Sequence, residues 1–240
     1  MNIILFEPQE VEHPLLLNDP RARHILDVLR LGPNGTFDAG LIDGPRGTGT
    51  LTAINPESLI FSFSWGNPPP PLCPIHLLIG LPRPQTSRDI LRDTTTLGVA
   101  SLNFIHSDRG ERSYRDSSLW KSDEWKRCVI AGAAQAFSTR IPQVTFGMTL
   151  SETIARLSSP EIARVALDNY EAASALAAFN PVGAASAAIA IGSERGWSPN
   201  ERTILKNGGF AAVHLGPRVL RTETACVAAV SLIKAKLGLF

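Results

Sequence analysis

The pattern of hydrophobic and polar positions divides the chain at a proline-rich segment, NPPPPLCP, at positions 67–74. Before it, short apolar runs alternate with glycine- and proline-containing turns, which predicts a small, mainly β domain. One helix is expected in this domain, beginning at the cap Asn18-Asp19-Pro20. We predict its strands at residues 3–6, 37–42, 48–54 and 59–65. Because prolines lack backbone donors and favour an extended chain, residues 69–74 are interpreted as a linker between domains 1–68 and 75–240.

After the linker, apolar runs alternate with helical patterns. We predict strands at residues 75–80, 102–106, 143–147, 163–168, 187–192 and 210–216. Helices are expected at about 87–98 and 122–137, after the capping box Thr149–Glu152, and from the capping box Ser198–Glu201 to about Gly208. The alanine-rich region 172–190 is interpreted as a helix with core packing. This alternation predicts an α/β fold with a mostly parallel sheet covered by helices on both faces.

Composition narrows the class of protein. Hydrophobic residues make up 44% and charged residues 19% of the chain, which is typical of a soluble globular protein. The longest apolar stretches fall well short of the roughly 20 residues that a bilayer requires, and the acidic start does not resemble a secretion signal. We therefore expect a cytoplasmic protein with no membrane partner. Cys73, Cys128 and Cys226 have no metal-ligand spacing, so we expect reduced thiols and no metal site.

The charge alone does not identify a partner. The formal net charge is +1, but arginine outnumbers lysine by 18 to 5. Guanidinium groups bind phosphates in a bidentate manner and stack on bases, so this bias is consistent with a nucleic-acid partner. A GC-rich genome would produce the same bias, and both interpretations stay open at this point.

Two glycine-bearing loops carry the candidate chemistry. One is Gly192 to Gly196 (GSERG), and the other follows the last predicted strand at Gly216-Pro217-Arg218. An ordinary crossover through the helix between them would bring both loops to the same edge of the sheet, where α/β proteins bind ligands. Glycine allows close backbone approach, and exposed amides suit an adenine or ribose edge. A plain turn is the alternative for either loop, and Arg221 and Glu223 could pair with each other or cap the next helix.

Three other common kinds of binding or catalytic site are not expected, because the chain lacks their sequence motifs. The chain has no GxGxxG, no GxxxxGK[ST] and no GxSxG. A standard dinucleotide fingerprint, a P-loop and a hydrolase nucleophile elbow are therefore not expected.

The segment LGPRVLRTETA (215–225), together with IGSERGWSPNE (191–201), resembles the carboxy-terminal signature of the RsmE family. These SPOUT-class methyltransferases use S-adenosylmethionine to methylate N3 of a uridine in small-subunit (16S) ribosomal RNA. Further segments resemble the family in order along nearly the whole chain: RHILDVLRLGPNG (23–35), TLGV (96–99), SDR (107–109) and AAQAFSTRIPQV (133–144).

The resemblance implies a PUA-like RNA-binding β-barrel over residues 1–68 and a SPOUT domain over 75–240, with a deep trefoil knot. It also implies a homodimer whose active sites lie at the interface. The implied cofactor-binding residues are Ile191, Gly192, Glu194, Gly196, Leu215, Gly216, Leu220, Thr222 and Ala225.

For the reaction, we hypothesise that Arg221 stabilises negative charge on the uracil oxygens while Glu223 or Glu194 accepts the N3 proton. Contacts with ribosomal RNA are expected from five arginines, each of which could also be solvated surface charge. They are Arg23, Arg30, Arg109, Arg112 and Arg140. Arg115 is a further candidate for the same role.

The chain also departs from the family pattern. Residues 192–196 read Gly-Ser-Glu-Arg-Gly where the family usually has Gly-Pro-Glu-Gly-Gly, and Ile4, Asp93 and Ser138 occupy places of family cations. These changes leave two alternatives open. One is a SPOUT methyltransferase that acts on a different RNA, such as transfer RNA, and the other is a catalytically silent RNA-binding factor in ribosome assembly.

Overall fold

The computed structural model describes residues 2–157 and 161–240, which form two compact units. The first unit contains residues 2–71 together with Ala133–Ile141. The second contains Leu72–Gly132 and the described residues of Pro142–Phe240. The single boundary predicted at the linker did not include the return of Ala133–Ile141 to the first unit.

A five-stranded sheet forms the first unit, with strand order β1-β3-β4-β5-β2. Its strands are β1 (Ile4–Phe6), β2 (Leu15–Leu16), β3 (Thr36–Leu41), β4 (Arg46–Ile54) and β5 (Ser58–Trp65). Helix α1 (Pro20–Arg23) begins where the Asp19 side chain accepts the N–H of Arg21, and it continues as a π-helical turn, His24–Val28. The strands predicted at residues 3–6, 37–42, 48–54 and 59–65 are confirmed, apart from shifts of one or two residues at their ends.

Aromatic side chains and the returning segment consolidate this unit. Phe6 contacts the rings of Phe37, Phe61 and Phe63 at centroid distances of 6.4, 6.4 and 5.2 Å. The hydroxyl of Thr139, which is fully buried, donates to the carbonyl of Gly44 at 2.6 Å. A side chain at position 40 would lie 2.5 Å from Thr139 Cγ2, so only glycine allows the segment to approach so closely.

The second unit is built on a seven-stranded sheet with order β10-β12-β9-β11-β6-β7-β8, and every pair in it is parallel. The strands are β6 (Cys73–Gly80), β7 (Val99–Ile105), β8 (Gln143–Met148), β9 (Ile162–Leu167), β10 (Ser174–Ala175), β11 (Ser186–Ile191) and β12 (Ala211–His214). The helices are α2 (Pro84–Thr96), α3 (Ser118–Lys121), α4 (Glu124–Gln135), α5 (Leu150–Arg156), α6 (Pro199–Asn207) and α7 (Thr222–Lys236). The predicted mostly parallel α/β sheet is confirmed.

Both faces of the central strands are buried. Ala188 and Ala190 of β11 pack in a cluster with Leu150 of α5 and Leu205 of α6. Alternate residues of a strand point to opposite faces, and Ile189 is also fully buried. None of the helices in the described residues is long and apolar enough to cross a lipid bilayer.

The helix predicted in the region 172–190 is wrong. This region contains β10, one 3-10 turn (Leu176–Ala178), a loop with Pro181 and Gly183, and then β11. Alanine favours a helix in isolation, but the fully buried alanines of β11 lie between β9 and β6 and pack on both sheet faces. Burial in a parallel sheet thus overrides the intrinsic preference of alanine.

Candidate active site

The carboxyl ends of three adjacent parallel strands define the candidate site. Strand β9 lies between β11 and β12, and Leu167 at its end pairs with Ile191 on one side and Val213 on the other. The loops that follow these strands therefore leave the sheet at the same edge. The two predicted loops meet there, and a third loop, Asp168–Tyr170, joins them. The third loop was missed because it has no glycine or family motif to mark it.

Eight of the nine residues predicted from the family resemblance to bind the cofactor line one pocket formed by these loops. They are Ile191, Gly192, Glu194, Gly196, Leu215, Leu220, Thr222 and Ala225. Gly216 is not in the lining. Its N–H is bound by the ring of His214 (3.1 Å to Nδ1), and its φ of +97° lets the chain turn after Leu215. The pocket also contains residues that the sequence did not single out: Leu167, Asp168, Asn169, Tyr170, Ser193, Trp197 and Val219.

The loop after β11 folds back on itself. The N–H of Gly196 donates to the carbonyl of Ser193 at 2.8 Å, and Gly196 has a φ of +66°. A Cβ at Gly192 would lie 3.0 Å from the Cα of Gly196, so the loop needs glycine at both positions. Trp197 is 1% exposed and donates its indole N–H to the carbonyl of Leu167 at 3.1 Å. This hydrogen bond joins the β11 loop to the end of β9.

An ion pair holds the β9 loop. The buried carboxylate of Asp168 accepts from Arg202 of α6 at 2.5 and 3.2 Å and from the N–H of Tyr170 at 2.9 Å. Burial raises the pKa of Asp168, but the hydrogen bonds from Arg202 and Tyr170 outweigh burial and lower it. Asp168 is therefore an ionised structural anchor beneath the pocket, and its oxygens are already occupied by these donors.

The pocket has the character of a nucleoside site. Its lining includes the apolar residues Ile191, Leu215, Leu220 and Ala225, together with residues of the three loops. Ser193 is 7% exposed, and its hydroxyl has no hydrogen-bond partner within the described residues. Such an arrangement fits a flat heteroaromatic ring with a polar edge, because the walls bury the ring and the loops can bind its nitrogens.

A second cavity of about 410 Å³ adjoins the pocket. The two share Glu194, Val219, Leu220 and Thr222, and the larger cavity adds Arg83, Gln85, Thr86, Arg221 and Glu223. It brings together the two residues predicted to be catalytic, Arg221 and Glu223, in a space that can hold a second ring. The cavity therefore has the composition expected of a substrate site.

The charged side chains of this cavity differ in whether they already have a partner within the protein. The Glu194 carboxylate accepts the backbone N–H of Arg83 at 3.0 Å and lies 3.5 Å from its Nε. Arg221 precedes the first residue of α7, is exposed, and makes no side-chain cap bond. In the part of the chain that the structure describes, Arg221 and Glu223 form no ion pair with each other. The alternative in which they only pair or cap the helix is therefore not observed.

The thiol of Cys226, three residues along α7 from Glu223, resists ionisation. Cys226 is fully buried in α7, and burial together with the neighbouring Glu223 carboxylate raises its pKa. A thiolate at this position is therefore strongly disfavoured, and the cavity offers no cysteine nucleophile from α7.

A buried carboxylate fixes the turn after β7 against α6. Glu201, 2% exposed, accepts the N–H of Ser198 at 2.7 Å within its capping box and also the N–H of Asp108 at 3.0 Å. The Ser198 hydroxyl donates to Asp108 at 2.5 Å. Next in the turn, Arg109 donates to the carbonyl of Arg195 at 3.2 Å. Arg109 is thus held beside the β11 loop.

The arginines predicted to contact RNA lie in both units. Arg109 and Arg112 belong to the second unit, whereas Arg23, Arg30 and Arg140 belong to the first. Arg23 and Arg30 are exposed. Arg140 is half-buried and donates to the carbonyl of Asp43 at 3.2 Å, so part of its guanidinium is used within the first unit.

The sequence of the chain is similar to those of known RNA methyltransferases. The family model of an RNA methyltransferase domain matches residues 68–234. The chain is 36% identical to the ribosomal RNA small subunit methyltransferase E of Treponema pallidum, over 98% of this chain and 91% of that protein. It is 26% identical to the ribosomal RNA small subunit methyltransferase E 1 of Borreliella burgdorferi, over 99% of both.

The fold of the chain is also similar to those of solved structures. The crystal structure of a ribosomal RNA small subunit methyltransferase E from Neisseria gonorrhoeae bound to S-adenosyl methionine matches with a TM-score of 0.74 at 26% identity, covering 97% of both chains. A probable rRNA-methyltransferase from Porphyromonas gingivalis has a TM-score of 0.78 at 24% identity, covering 98% of this chain and 99% of that one. The second likeness concerns the fold alone.

Proposed function

Because the chain belongs to the ribosomal RNA small subunit methyltransferase E (RsmE) family, we propose that it uses S-adenosylmethionine to methylate N3 of a uridine in small-subunit ribosomal RNA. The observation that carries this proposal is the pair of adjoining spaces at one sheet edge. One has nucleoside character, and the other contains Arg221 and Glu223. Two adjacent sites of this kind are what a group transfer between two ring-bearing molecules requires.

The three-loop pocket is the proposed cofactor site. Ile191, Leu215, Leu220 and Ala225 would bury the adenine ring, and the backbone at Gly192 and Gly196 would approach it closely. S-adenosylmethionine supplies an electrophilic methyl group when bound. The crystallised Neisseria gonorrhoeae relative, which binds this molecule, supports the assignment.

The cavity beside the pocket is the proposed base site, and its residues account for the chemistry. Uracil N3 carries a proton at neutral pH, so the reaction needs an acceptor for that proton and donors for the charge that spreads onto O2 and O4. Arg221, whose guanidinium has no partner within the described residues, is the proposed donor. Glu223 is the proposed proton acceptor. Glu194 is less suited to this role because its carboxylate is already bound by Arg83.

We extend the proposal to the architecture. The five-stranded sheet of the first unit would be a PUA-like RNA-binding barrel, and the second unit would be a SPOUT domain with a carboxy-terminal trefoil knot. Along the chain the boundaries proposed are 1–68, 69–74 for the linker, and 75–240, with Ala133–Ile141 of the last range returning to the first unit. The resemblance of residues 191–201 and 215–225 to the family signature supports the second part. The proposed assembly is a cytoplasmic homodimer, with Arg23, Arg30, Arg109, Arg112 and Arg140 as RNA contacts.

The test is a methyl-transfer assay with small ribosomal subunits from a strain that lacks the gene. Subunits, protein and S-adenosylmethionine are incubated, and the digested RNA is analysed by mass spectrometry for 3-methyluridine. Arg221→Ala should lower kcat by about 100- to 1,000-fold while leaving the cofactor Kd within about twofold, because its donor acts on the transition state. Arg218→Ala is the matched control, since Arg218 is exposed, lies in the same loop and lines neither cavity.

Two results would favour the alternatives. If wild-type protein labels transfer RNA and not ribosomal subunits, the chain is a methyltransferase with another substrate. If calorimetry detects no binding of S-adenosylmethionine, the alternative of a silent RNA-binding factor is favoured. Undiminished turnover by Arg221→Ala would remove the role assigned to that arginine.

A further inference from the structure

We propose that a cavity behind the turn Ser107–Gly110 binds one phosphodiester group of the RNA substrate. The cavity has a volume of about 270 Å³ and is lined by Leu81, His106, Ser107, Gly110, Glu111, Arg112 and Arg115. We name it the phosphate cavity. The identity of the RNA rests on the proposed function, whereas the anion-binding chemistry of the cavity does not.

The donors of the phosphate cavity are not used by the fold. Arg112 is exposed, and its side chain has no hydrogen bond or ion pair within residues 2–157 and 161–240. The guanidinium of Arg115 reaches only its sequence neighbour Asp116, at 3.8 Å and with both side chains more than half exposed. Such a pair contributes little stability, so both arginines are free to bind a ligand. Guanidinium groups bind phosphate oxygens through paired N–H donors.

A buried hydroxyl gives the cavity a third donor. The Ser107 Oγ is inaccessible to solvent and has no hydrogen-bond partner among the described residues. A buried hydroxyl without a partner costs free energy in the folded protein. Ser107 lies in the cavity lining, so a rotation about χ1 would turn the hydroxyl towards a bound phosphate oxygen, which would satisfy it. Glu111 is the one carboxylate in the lining, against two guanidinium groups, so the cavity has an excess of positive charge.

The position of the phosphate cavity fits a nucleic-acid strand that continues from the active site. Gly110 and Glu111 also line a neighbouring cavity with Arg83 and Arg109, and that cavity shares Ser193 and Glu194 with the three-loop pocket. The spaces thus form a series of neighbouring cavities from the proposed cofactor site to the phosphate cavity, each sharing lining residues with the next. A nucleotide with its base beside Arg221 could therefore place a neighbouring phosphate between Arg112 and Arg115.

The strand that pairs with the end of β7 carries an exposed aromatic ring, which favours a polymer over a free anion as the ligand. The N–H of His106 donates to the carbonyl of Met148 at 2.9 Å, and Phe146 lies two residues before Met148 on the edge strand β8. Phe146 is 47% exposed and is supported by the ring of Trp120 at 5.1 Å with an angle of 28°. Supported aromatic rings beside cationic grooves are the means by which proteins stack unpaired bases.

The test compares RNA affinity with salt dependence. A fluorescein-labelled transcript of small-subunit ribosomal RNA is titrated with wild type, Arg112→Gln, Arg115→Gln and the double variant at several KCl concentrations. Each single change should weaken binding by about three- to tenfold and lower the slope of log K against log salt by about 0.7, since each removes one phosphate contact. Arg127→Gln is the matched control, because Arg127 is an exposed arginine of α4 that lines none of these cavities.

A second variant separates a ligand role from a structural one. Ser107→Ala should leave the urea unfolding midpoint unchanged or higher, because the hydroxyl makes no bond in the fold. It should still weaken RNA binding by about threefold. The Kd for S-adenosylmethionine should stay within twofold of wild type for all of these variants, because none of the changed residues lines the three-loop pocket.

The outcomes are distinguishable. Unchanged affinity and unchanged salt slope in the double variant would overturn the phosphate cavity, even if the protein methylates ribosomal RNA normally. An equal loss in Arg127→Gln would also overturn it, because the effect would then be one of general charge. If the wild type methylates no ribosomal RNA, but the slope of log K against log salt is lower in the Arg112 and Arg115 variants, the proposed function fails and the anion site stands.

Discussion

Replacing Asp168 with asparagine would test how the three-loop pocket is held in place. The change removes the negative charge beside Arg202 while it keeps the size of the side chain. Asp168 and Arg202 have side chains only 5% and 16% exposed, so Arg202 would be left largely buried without its partner. Breaking one side of a buried pair costs about 3–5 kcal/mol. Because the Glu171 carboxylate remains 3.3 Å from Arg202, we expect about 2–3 kcal/mol for Asp168→Asn.

Urea unfolding followed by tryptophan fluorescence measures this difference in the free energy of unfolding. Asp93→Asn is the control, since Asp93 pairs with Arg92 at 3.0 Å on an open surface, and we expect a loss below about 1 kcal/mol. The β9 loop also lines the pocket, so Asp168→Asn should weaken binding of S-adenosylmethionine in calorimetry, whereas Asp93→Asn should not.

The pH dependence gives a further check on the same variant. The folded protein lowers the pKa of Asp168 from its ordinary value of 3.8, because hydrogen bonds from Arg202 and the β9 loop outweigh burial. The stabilisation is therefore fully present above that value and is lost as the pH falls through the lower, folded pKa. The difference between wild type and Asp168→Asn should stay constant from neutral pH down to about pH 5 and shrink only in stronger acid. A variant as stable as wild type at neutral pH, or a difference that vanishes between pH 7 and pH 5, would refute this reasoning.

Two further predictions concern backbone contacts at the same edge. Gly80→Ala would place a Cβ 2.6 Å from the backbone N of Ser193, so it should cost about 1–3 kcal/mol in urea unfolding and weaken cofactor binding. Gly32→Ala has open space and should be neutral or slightly stabilising, and equal effects of the two changes would contradict the argument. Ser198→Ala removes a capping bond of 3.1 Å and the bond to Asp108, so it should cost about 1–2 kcal/mol and also weaken RNA binding through the turn that carries Arg109. Thr149→Ala removes the equivalent cap at α5 and should reduce stability alone, so an equal loss of RNA affinity in both would count against this role for Ser198.

Local signals in the sequence were sufficient for elements whose partners lie within a few residues. Both capping boxes, Thr149–Glu152 and Ser198–Glu201, form as predicted because each requires only four consecutive residues. Strand positions could also be predicted because an apolar run is a local property, although the strands with which each one pairs are distant in sequence. The alanine-rich region failed because its conformation depends on the strands on either side of β11, which the local pattern does not contain.

The site was partly predictable for a similar reason. Glycine-bearing loops at the ends of β11 and β12 are visible in the sequence, and the structure places them together. The contribution of Asp168 depends on β9 lying between those strands, and strand order is a long-range property. The additional bond from Asp108 to Glu201 was likewise hidden, because these residues are 93 positions apart.

The return of Ala133–Ile141 to the first unit has a consequence for how this protein can be divided or recombined. A fragment that ends at Pro71 would lack the carbonyl of Ala134 that accepts the N–H of Ile3, and it would leave the space against Gly40 unfilled where Thr139 packs. The amino-terminal module is therefore not encoded by one uninterrupted stretch of the gene. If residues 1–71 were exchanged between relatives, the sheet would come from one parent and the segment Ala133–Ile141 from the other. The residues that meet at these contacts must therefore change together for the exchanged protein to fold.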